Sequence, residues 1–430
     1  MIKTVCPSSL SGSLPVMPSK SASHRAVMMA AMAPGTTTLA PLQLSKDVSA
    51  TLSCAEALGL MQKAAITPHE IPGFVRAVVS GGLSAAPSAR RLLDCGESGS
   101  TLRFFIPLAL DGRGPVTFVG HGRLMQRPLD VYEALFRPLG VHWHQDGDHL
   151  TVEGTLKSGE YALRGDVSSQ FITGLLLALP QLDGDSIIRI TTKLESRAYV
   201  ELTRRVQADF GVVSHWEADG QTLVIPGGQK PASPGHAHVE SDWSHAAFYL
   251  VAGVIGSRGP LTLTGLDLSS TQGDRAILHI LQDMGAIISS HGDTVSVCPS
   301  NLHAACVDAS QIPDLVPVLA VAMAAARGES RITGAARLRI KESDRLTAMY
   351  TALSACGADV TELPDGLIIR GGKPLHAASI DGCNDHRIVM AMAVASGIAQ
   401  GDLAISTAEA TSKSAPDFWG EFSKLGGITR

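Results

Sequence analysis

Aromatic residues are scarce in this chain, at 4% of 430 residues, with only 4 Trp and 5 Tyr. That leaves little with which to build a stacking platform for nucleic-acid bases. Positive charge is not in excess either. A formal net charge of −5 argues against a protein that coats a phosphate backbone or an anionic membrane surface. The 7 cysteines are odd in number, scattered and without a C-x-x-C pair. They suggest a reducing compartment and neither a disulfide framework nor a zinc site. No uncharged apolar run approaches the ~18 residues of a membrane span. The opening MIKTVCPSSL lacks the apolar core of a signal peptide, so the expected location is the cytoplasm. The phosphate-binding G-x-x-x-x-G-K-[ST], G-x-G-x-x-G, H-E-x-x-H and G-x-S-x-G patterns are all missing. The 15 histidines show no ligand spacing, so no metal is implied.

What the chain does have is a repeat. Six times an apolar, helix-like run ends in glycine and passes into a short β-rich run. The equivalent glycines are Gly35, Gly114, Gly184, Gly259, Gly328 and Gly401, separated by 79, 70, 75, 69 and 73 residues. Between these copies lies a second pattern: a more polar helix ending at Gly, then two alternating strands around a polar turn, as in VYEALFRPLGVHWHQDGDHLTVEG from Val131. Glycine after the last helical turn is a helix stop, and Asp-Gly or His-Gly between alternating apolar residues marks a hairpin. Each unit therefore reads as βαβαββ, and self-similarity at this period is a fold-level signal. The last copy, EFSKLGGITR, breaks off midway. The predicted fold class is α/β, with six units divided three and three.

The apolar helices begin with unusual residues: Lys20-Ser21-Ala22-Ser23-His24-Arg25, Gly96-Glu97-Ser98-Gly99-Ser100-Thr101, Ser168-Ser169-Gln170, Asp242-Trp243-Ser244, Ile312-Pro313-Asp314 and Asp385-His386-Arg387. Ser and Asp there are ordinary caps. Cations are not, because a helix N-terminus is already positive. Lys20, Arg25 and Arg387 at such ends call for an anion held by backbone N–H groups, hydroxyls and cations together. A further cluster, Arg337 to Arg345, packs four cations and two carboxylates into nine residues. Read as a helix, it would bring Lys341, Glu342 and Arg345 to one face. Lys413 stands in a loop before the last helix.

The segments PSKSASHRA, GESGSTLRF, GRLMQRPL, SSQFITGLL, ESRAYV, IPDLVPVLA, IKESDRL, NDHRIVMA and TSKSAPDF occur in one order between Pro18 and Phe418. In this the chain resembles the enolpyruvyl transferases, specifically the branch acting on shikimate 3-phosphate. The resemblance implies two similar domains of three βαβαββ units, each an inside-out α/β barrel. Residues 19–241 would form one domain, and residues 1–18 with 242–430 the other, joined by a double crossover. It implies transfer of the enolpyruvyl group of phosphoenolpyruvate to the 5-hydroxyl of shikimate 3-phosphate by addition and elimination, with phosphate released. No cofactor or metal is expected, and a monomer is.

Carried over by residue, the resemblance assigns shikimate 3-phosphate to Lys20, Ser21, Arg25, Ser168, Ser169, Gln170, Ser196, Tyr199, Asp314, Arg337 and Lys341. Arg197 joins them by our own inference from its place beside Ser196. Phosphoenolpyruvate falls to Lys20, Gly99, Arg123, Gln170, Glu342, Arg345, Arg387 and Lys413, the guanidinium forks suiting carboxylate and phosphate. Asp314 is the expected base on the 5-hydroxyl, Glu342 the acid at C3, and Lys20 and Lys413 complete the catalytic set. Arg103 and Arg127 are expected in ion pairs. Gly99 also matches the glycine that makes room for glyphosate. The chain departs from the commonest pattern at Glu97, at Arg337, at His24 (where an Asn is usual and a cap is expected) and at Phe104, which replaces a Pro. Two alternatives stand beside this reading: transfer to UDP-N-acetylglucosamine, whose loop cysteine has no counterpart in Arg113–Arg127, and a non-enzymatic six-unit clamp.

Overall fold

The computed structural model describes residues 1–82, 91–256 and 258–430. The chain divides into two compact units, Lys20–Val239 and Met1–Ser19 with Glu240–Arg430. Each unit contains three βαβαββ repeats. In the second repeat, Arg91–Asp94 runs parallel to Val116–Val119 across the helix Gly99–Ala109. Val116–Val119 then pairs antiparallel with His149–Glu153, which closes a hairpin with His142–Asp146. A parallel pair needs a crossover, and the apolar helix supplies it. Among the described residues five sheets of four strands and one of three result. Among the described residues no sheet closes by hydrogen bonding into a barrel.

Three repeats are completed by strands distant in sequence. Gly35–Leu42 takes its parallel neighbour from His236–Ala237. Leu261–Thr264 takes Gly12–Pro15. Leu403–Ile405 pairs with Lys3–Val5, and Val5 bridges to Thr429. The segment that breaks off midway in sequence thus has its sheet finished by the chain's first strand. The chain crosses between the units twice, at residues 19–20 and 239–240. There Ser19 N donates to Glu240 O at 2.7 Å, and Asp242 N to Met17 O at 2.9 Å.

The repeat's apolar helices are buried nearly all round, which explains runs such as VPVLAVAMAA with polar residues only at their ends. In the Glu240–Arg430 part, Trp243–Gly256, Val316–Ala325 and His386–Ala395 pack on one another. In Lys20–Val239, Gly99–Ala109 lies so close to Ser169–Ala178 that a Cβ on Gly174 would stand 2.3 Å from the carbonyl oxygen of Arg103. Tyr132 seals this contact, its hydroxyl donating to the carbonyls of Arg103 and Phe171. Small residues let the helices approach, and the approach brings their N-terminal turns together.

Candidate active site

In Lys20–Val239 the anchor is Arg25, which is 3% exposed and lies in the second turn of the helix Lys20–Met32. Its Nε donates to Thr203 Oγ1 (2.8 Å), Nη2 to Thr173 Oγ1 (3.2 Å) and Tyr199 O (3.0 Å), and Nη1 to Ser21 O (2.7 Å). All four partners are neutral. Burial lowers its pKa to about 10, so it remains charged. A buried cation held by hydroxyls and carbonyls is an electrostatic demand that an anion satisfies. Around it stand the start of Ser169–Ala178, where the Ser168 hydroxyl caps Gln170 N, and the start of Arg197–Asp209, entered through Ser196. Ser196 has a positive φ of 53°, a left-handed conformation that costs a non-glycine residue on the order of 1 kcal/mol and is frequent at binding sites.

Gln170 ties two helix starts together. Its Oε1 accepts from Arg103 Nη1 at 2.8 Å, and its Nε2 donates to Ser100 Oγ at 3.0 Å. Lys20 opens its helix with Nζ 2.8 Å from Asp47 Oδ2. Arg123 is exposed just before the short turn Leu124–Gln126.

The other unit gathers charge of both signs. Arg345, fully buried, is the first residue of its helix. Nε and Nη2 bond Asp385 (2.8 and 3.2 Å), Nη1 bonds Asp314 Oδ1 (3.0 Å) and Nη2 bonds Glu342 Oε2 (2.9 Å). Arg387 reaches the same Asp314, with Nη2 to Oδ2 and Nη1 to the carbonyl, both at 3.1 Å. Two guanidiniums at helix starts are tolerable because Asp385, Asp314 and Glu342 neutralise them. Burial would raise the Asp314 carboxyl. Arg387, Lys341 and Arg345 outweigh it and hold the group far below the usual carboxylate range. Lys341 is driven the other way, to about 7, by burial and by Arg337 and Arg345. Arg337 is buried, with Nη2 on Ser310 O at 2.8 Å. Lys413 is buried too and donates to Asn384 O at 2.6 Å. The turn presenting that carbonyl is strained, with φ of 52° at Cys383 and 50° at Asn384.

Several expectations need correction. Arg337–Arg345 is not one helix: a 3₁₀ turn, Ala336–Ile340, gives way to extended Lys341, and the helix begins at Arg345. Asp344 causes this by capping Thr347 N at 3.1 Å. Glu342 still meets Arg345, through a bend rather than a helical face. His24 does not cap. It lies inside the helix, fully buried, with Nδ1 2.6 Å from Thr51 Oγ1. Ser98, not Ser100, caps Gly99–Ala109. Ser244 bonds Asp274 while Asp242 caps His245 N. Other expected residues are placed without bearing on their expected roles: Arg103 donates to Gln170 Oε1 at 2.8 Å and to Pro128 O at 2.9 Å. Arg197 stacks 4.1 Å from the centre of the Trp216 ring and donates to Gly220 O. A Cβ on Gly99 would stand 2.7 Å from Arg127 Nη1 and 3.0 Å from Arg103 Nη1. The residues that sequence reasoning missed are partners: Asp385, Asp47, Thr173, Thr203 and Asp274. Asp385 alone carried a signal, as the first acid of the DHR helix start.

Helix starts loaded with guanidinium, ammonium and carboxylate on repeated βαβαββ units define the enolpyruvyl-transferase fold class. The fold of the enolpyruvyl transferase NikO from Streptomyces tendae matches over 100% of this chain and 98% of its own, with a TM-score of 0.79 at 17% identity. EPSP synthase from Acinetobacter baumannii matches over 100% and 99%, with a TM-score of 0.80 at 26% identity. The chain belongs to the EPSP synthase (3-phosphoshikimate 1-carboxyvinyltransferase) family, whose model matches residues 5–422. It is 44% identical to the 3-phosphoshikimate 1-carboxyvinyltransferase of Clostridium novyi (strain NT), over 99% of this chain and 97% of the relative. The Clostridium kluyveri enzyme of the same name is 41% identical over 99% and 97%.

Proposed function

We propose that the two charge arrangements divide one reaction between binding an anion and moving protons. As a member of this family, the enzyme transfers the enolpyruvyl group of phosphoenolpyruvate to shikimate 3-phosphate in aromatic amino acid biosynthesis. The UDP-sugar and clamp alternatives are set aside by the family match. Arg25, Ser21, Ser168, Ser169, Ser196, Tyr199 and Gln170 hold shikimate 3-phosphate. Ser168 and Ser169 lie at a helix start suited to a phosphate. Lys341, Arg337 and Asp314 address its ring side, and Arg197, committed to Trp216, contributes least. Lys20, Gly99, Arg123, Gln170, Arg345, Arg387 and Lys413 surround phosphoenolpyruvate.

The observation that carries this reading is Arg345, one guanidinium bonded to both Asp314 and Glu342, with Arg387 on Asp314 as well. A substrate carboxylate drawn to these arginines competes with Asp314 and Glu342. Loss of those bonds weakens the pull that keeps Asp314 a feeble base and lets its basicity rise. Asp314 then takes the proton of the 5-hydroxyl as that oxygen attacks C2, while Glu342 protonates C3. The tetrahedral intermediate collapses as C3 returns its proton and phosphate departs, assisted by Lys413 and Lys20. Every step is acid–base chemistry against fixed charge and needs neither metal nor organic cofactor. We read the enzyme as a cytoplasmic monomer acting on two small soluble anions.

Phosphate release tests the proposal. Phosphate should appear only when shikimate 3-phosphate and phosphoenolpyruvate are both present, and at an unchanged rate with chelator. Turnover with UDP-N-acetylglucosamine, or loss of activity on chelation, overturns it.

A further inference from the structure

Two departures from the family pattern, His24 and Phe104, touch each other. Their rings meet edge to face, with centroids 6.3 Å apart and planes at 85°. The same Phe104 ring lies 5.3 Å from the Arg25 guanidinium carbon. From His24 a chain of buried groups runs outward. Nδ1 is 2.6 Å from Thr51 Oγ1, Thr51 Oγ1 is 2.7 Å from Thr101 Oγ1, and Thr101 Oγ1 donates to Ser98 Oγ at 2.7 Å. Ser98 accepts Thr101 N at 3.1 Å and so caps Gly99–Ala109. The helix that contributes Thr51 also carries Asp47, the partner of Lys20. His24, Thr51 and Thr101 are wholly buried, and Ser98 is almost so.

We propose that His24 is a positioning residue for phosphoenolpyruvate, fixing the Gly96–Gly99 turn relative to Lys20 through Thr51, Thr101 and Ser98. This rests on the reading that Lys20 and Gly99 border that substrate. The imidazole suits the task because burial, with Lys20 and Arg25 nearby, holds its pKa well below the ordinary value. It stays neutral and keeps one fixed hydrogen-bonding pattern. Only Nδ1 enters the relay; Nε2 is buried without a partner. The ring is a three-way wedge between the helices Lys20–Met32, Lys46–Ala57 and Gly99–Ala109. Buried networks of this kind act as a unit, so cutting one member displaces the rest.

The test uses which nitrogen matters. His24→Asn places an amide where Nδ1 was; His24→Gln places one nearer Nε2; His24→Leu removes both. Steady-state kinetics should show KM for phosphoenolpyruvate rising about tenfold in the Leu and Gln variants. KM for shikimate 3-phosphate should stay within about twofold, and the Asn variant should be restored to near the parent. Should His24→Leu fail to fold, Thr101→Val against Thr101→Ser poses the same question, Ser keeping the relay. Equal loss toward both substrates, or Asn and Gln behaving alike, overturns the proposal. Lys20→Ala separates the two layers. If it leaves KM for phosphoenolpyruvate intact, the site reading fails; if it raises KM while the His24 series is flat, the relay fails.

Discussion

Arg25 and Arg345, one in each unit, are held by opposite means. Arg25 sits among hydroxyls and carbonyls. Arg345 sits among three carboxylates. Both are buried at helix starts in the same repeated βαβαββ frame, yet the consequences differ. A guanidinium with neutral partners keeps its field for an incoming anion and is costly until one arrives. One that is neutralised internally exerts little net field, but it holds its carboxylates poised and releases them when a competitor binds. The same helix start becomes a binding device or a proton device according to whether its neighbours carry charge.

The largest effect is expected at Asp314. Asp314→Asn keeps the shape of the Arg345–Arg387 clamp but removes the base, and kcat should fall by about 10²- to 10⁴-fold. A rapid-quench assay for the tetrahedral intermediate would place the block at addition; normal accumulation of that intermediate would remove Asp314 from its role. Next comes Asp385→Ala, which strands Arg345 beside a lost partner and strips the cap from His386–Ala395. Unfolding free energy in denaturant should drop by about 3–5 kcal/mol. The analogous cut in the other unit, Thr203→Val, should cost only about 1 kcal/mol, since a hydroxyl and not a counter-ion is lost.

Arg25→Met sharpens the contrast from the binding side. It should raise KM for shikimate 3-phosphate by about 10²-fold. Thermal stability should hold or rise, because an uncompensated buried charge disappears. A fall in Tm with KM unchanged would make Arg25 structural. A smaller effect follows from Lys341. Its pKa of about 7 means that the unliganded enzyme loses this charge as pH rises through neutrality. Shikimate 3-phosphate kcat/KM should then decline about tenfold per pH unit above 7, and Lys341→Arg should push that limb to higher pH. For folding the sign is reversed. Between about 7 and the unfolded value, the unfolded chain binds the extra proton, so Lys341 adds stability as pH rises. Smallest is Gly99→Ala. Its methyl would meet the ends of Arg127 and Arg103 rather than backbone. Only a few-fold loss is expected, larger for glyphosate than for phosphoenolpyruvate in paired inhibition and Michaelis measurements.

The repeat, the strand–helix alternation and the cations at helix starts were all legible in the residues, because each has a local signature: glycine stops, alternating hairpins, charge where a dipole forbids it. Local reading misled where tertiary geometry competed. The Arg337–Arg345 segment has helical charge spacing, but Asp344 starts the helix late. His24 looked like a cap because it lies near a helix start, whereas packing against Phe104 and Thr51 made it a buried wedge. Most partners could not be read. Thr173, Thr203 and Asp47 are ordinary residues until folding sets them beside Arg25 and Lys20, and Asp385 showed its helix start but not its bond to Arg345.

By itself the sequence determined the unit, its sixfold use and which residue types would face an anion, since hydrophobic period and capping act over a few residues. Only the tertiary structure decided that strands His236–Ala237, Gly12–Pro15 and Lys3–Val5 complete repeats far from them in the chain. It alone decided which cation meets a hydroxyl and which a carboxylate. The strand pairings join residues up to 402 positions apart, as Lys3 and Ile405 are in register, and Arg25 meets Thr203 across 178 positions. They depend on which helix ends the packing of small residues brings within about 3 Å, a condition that no local pattern encodes.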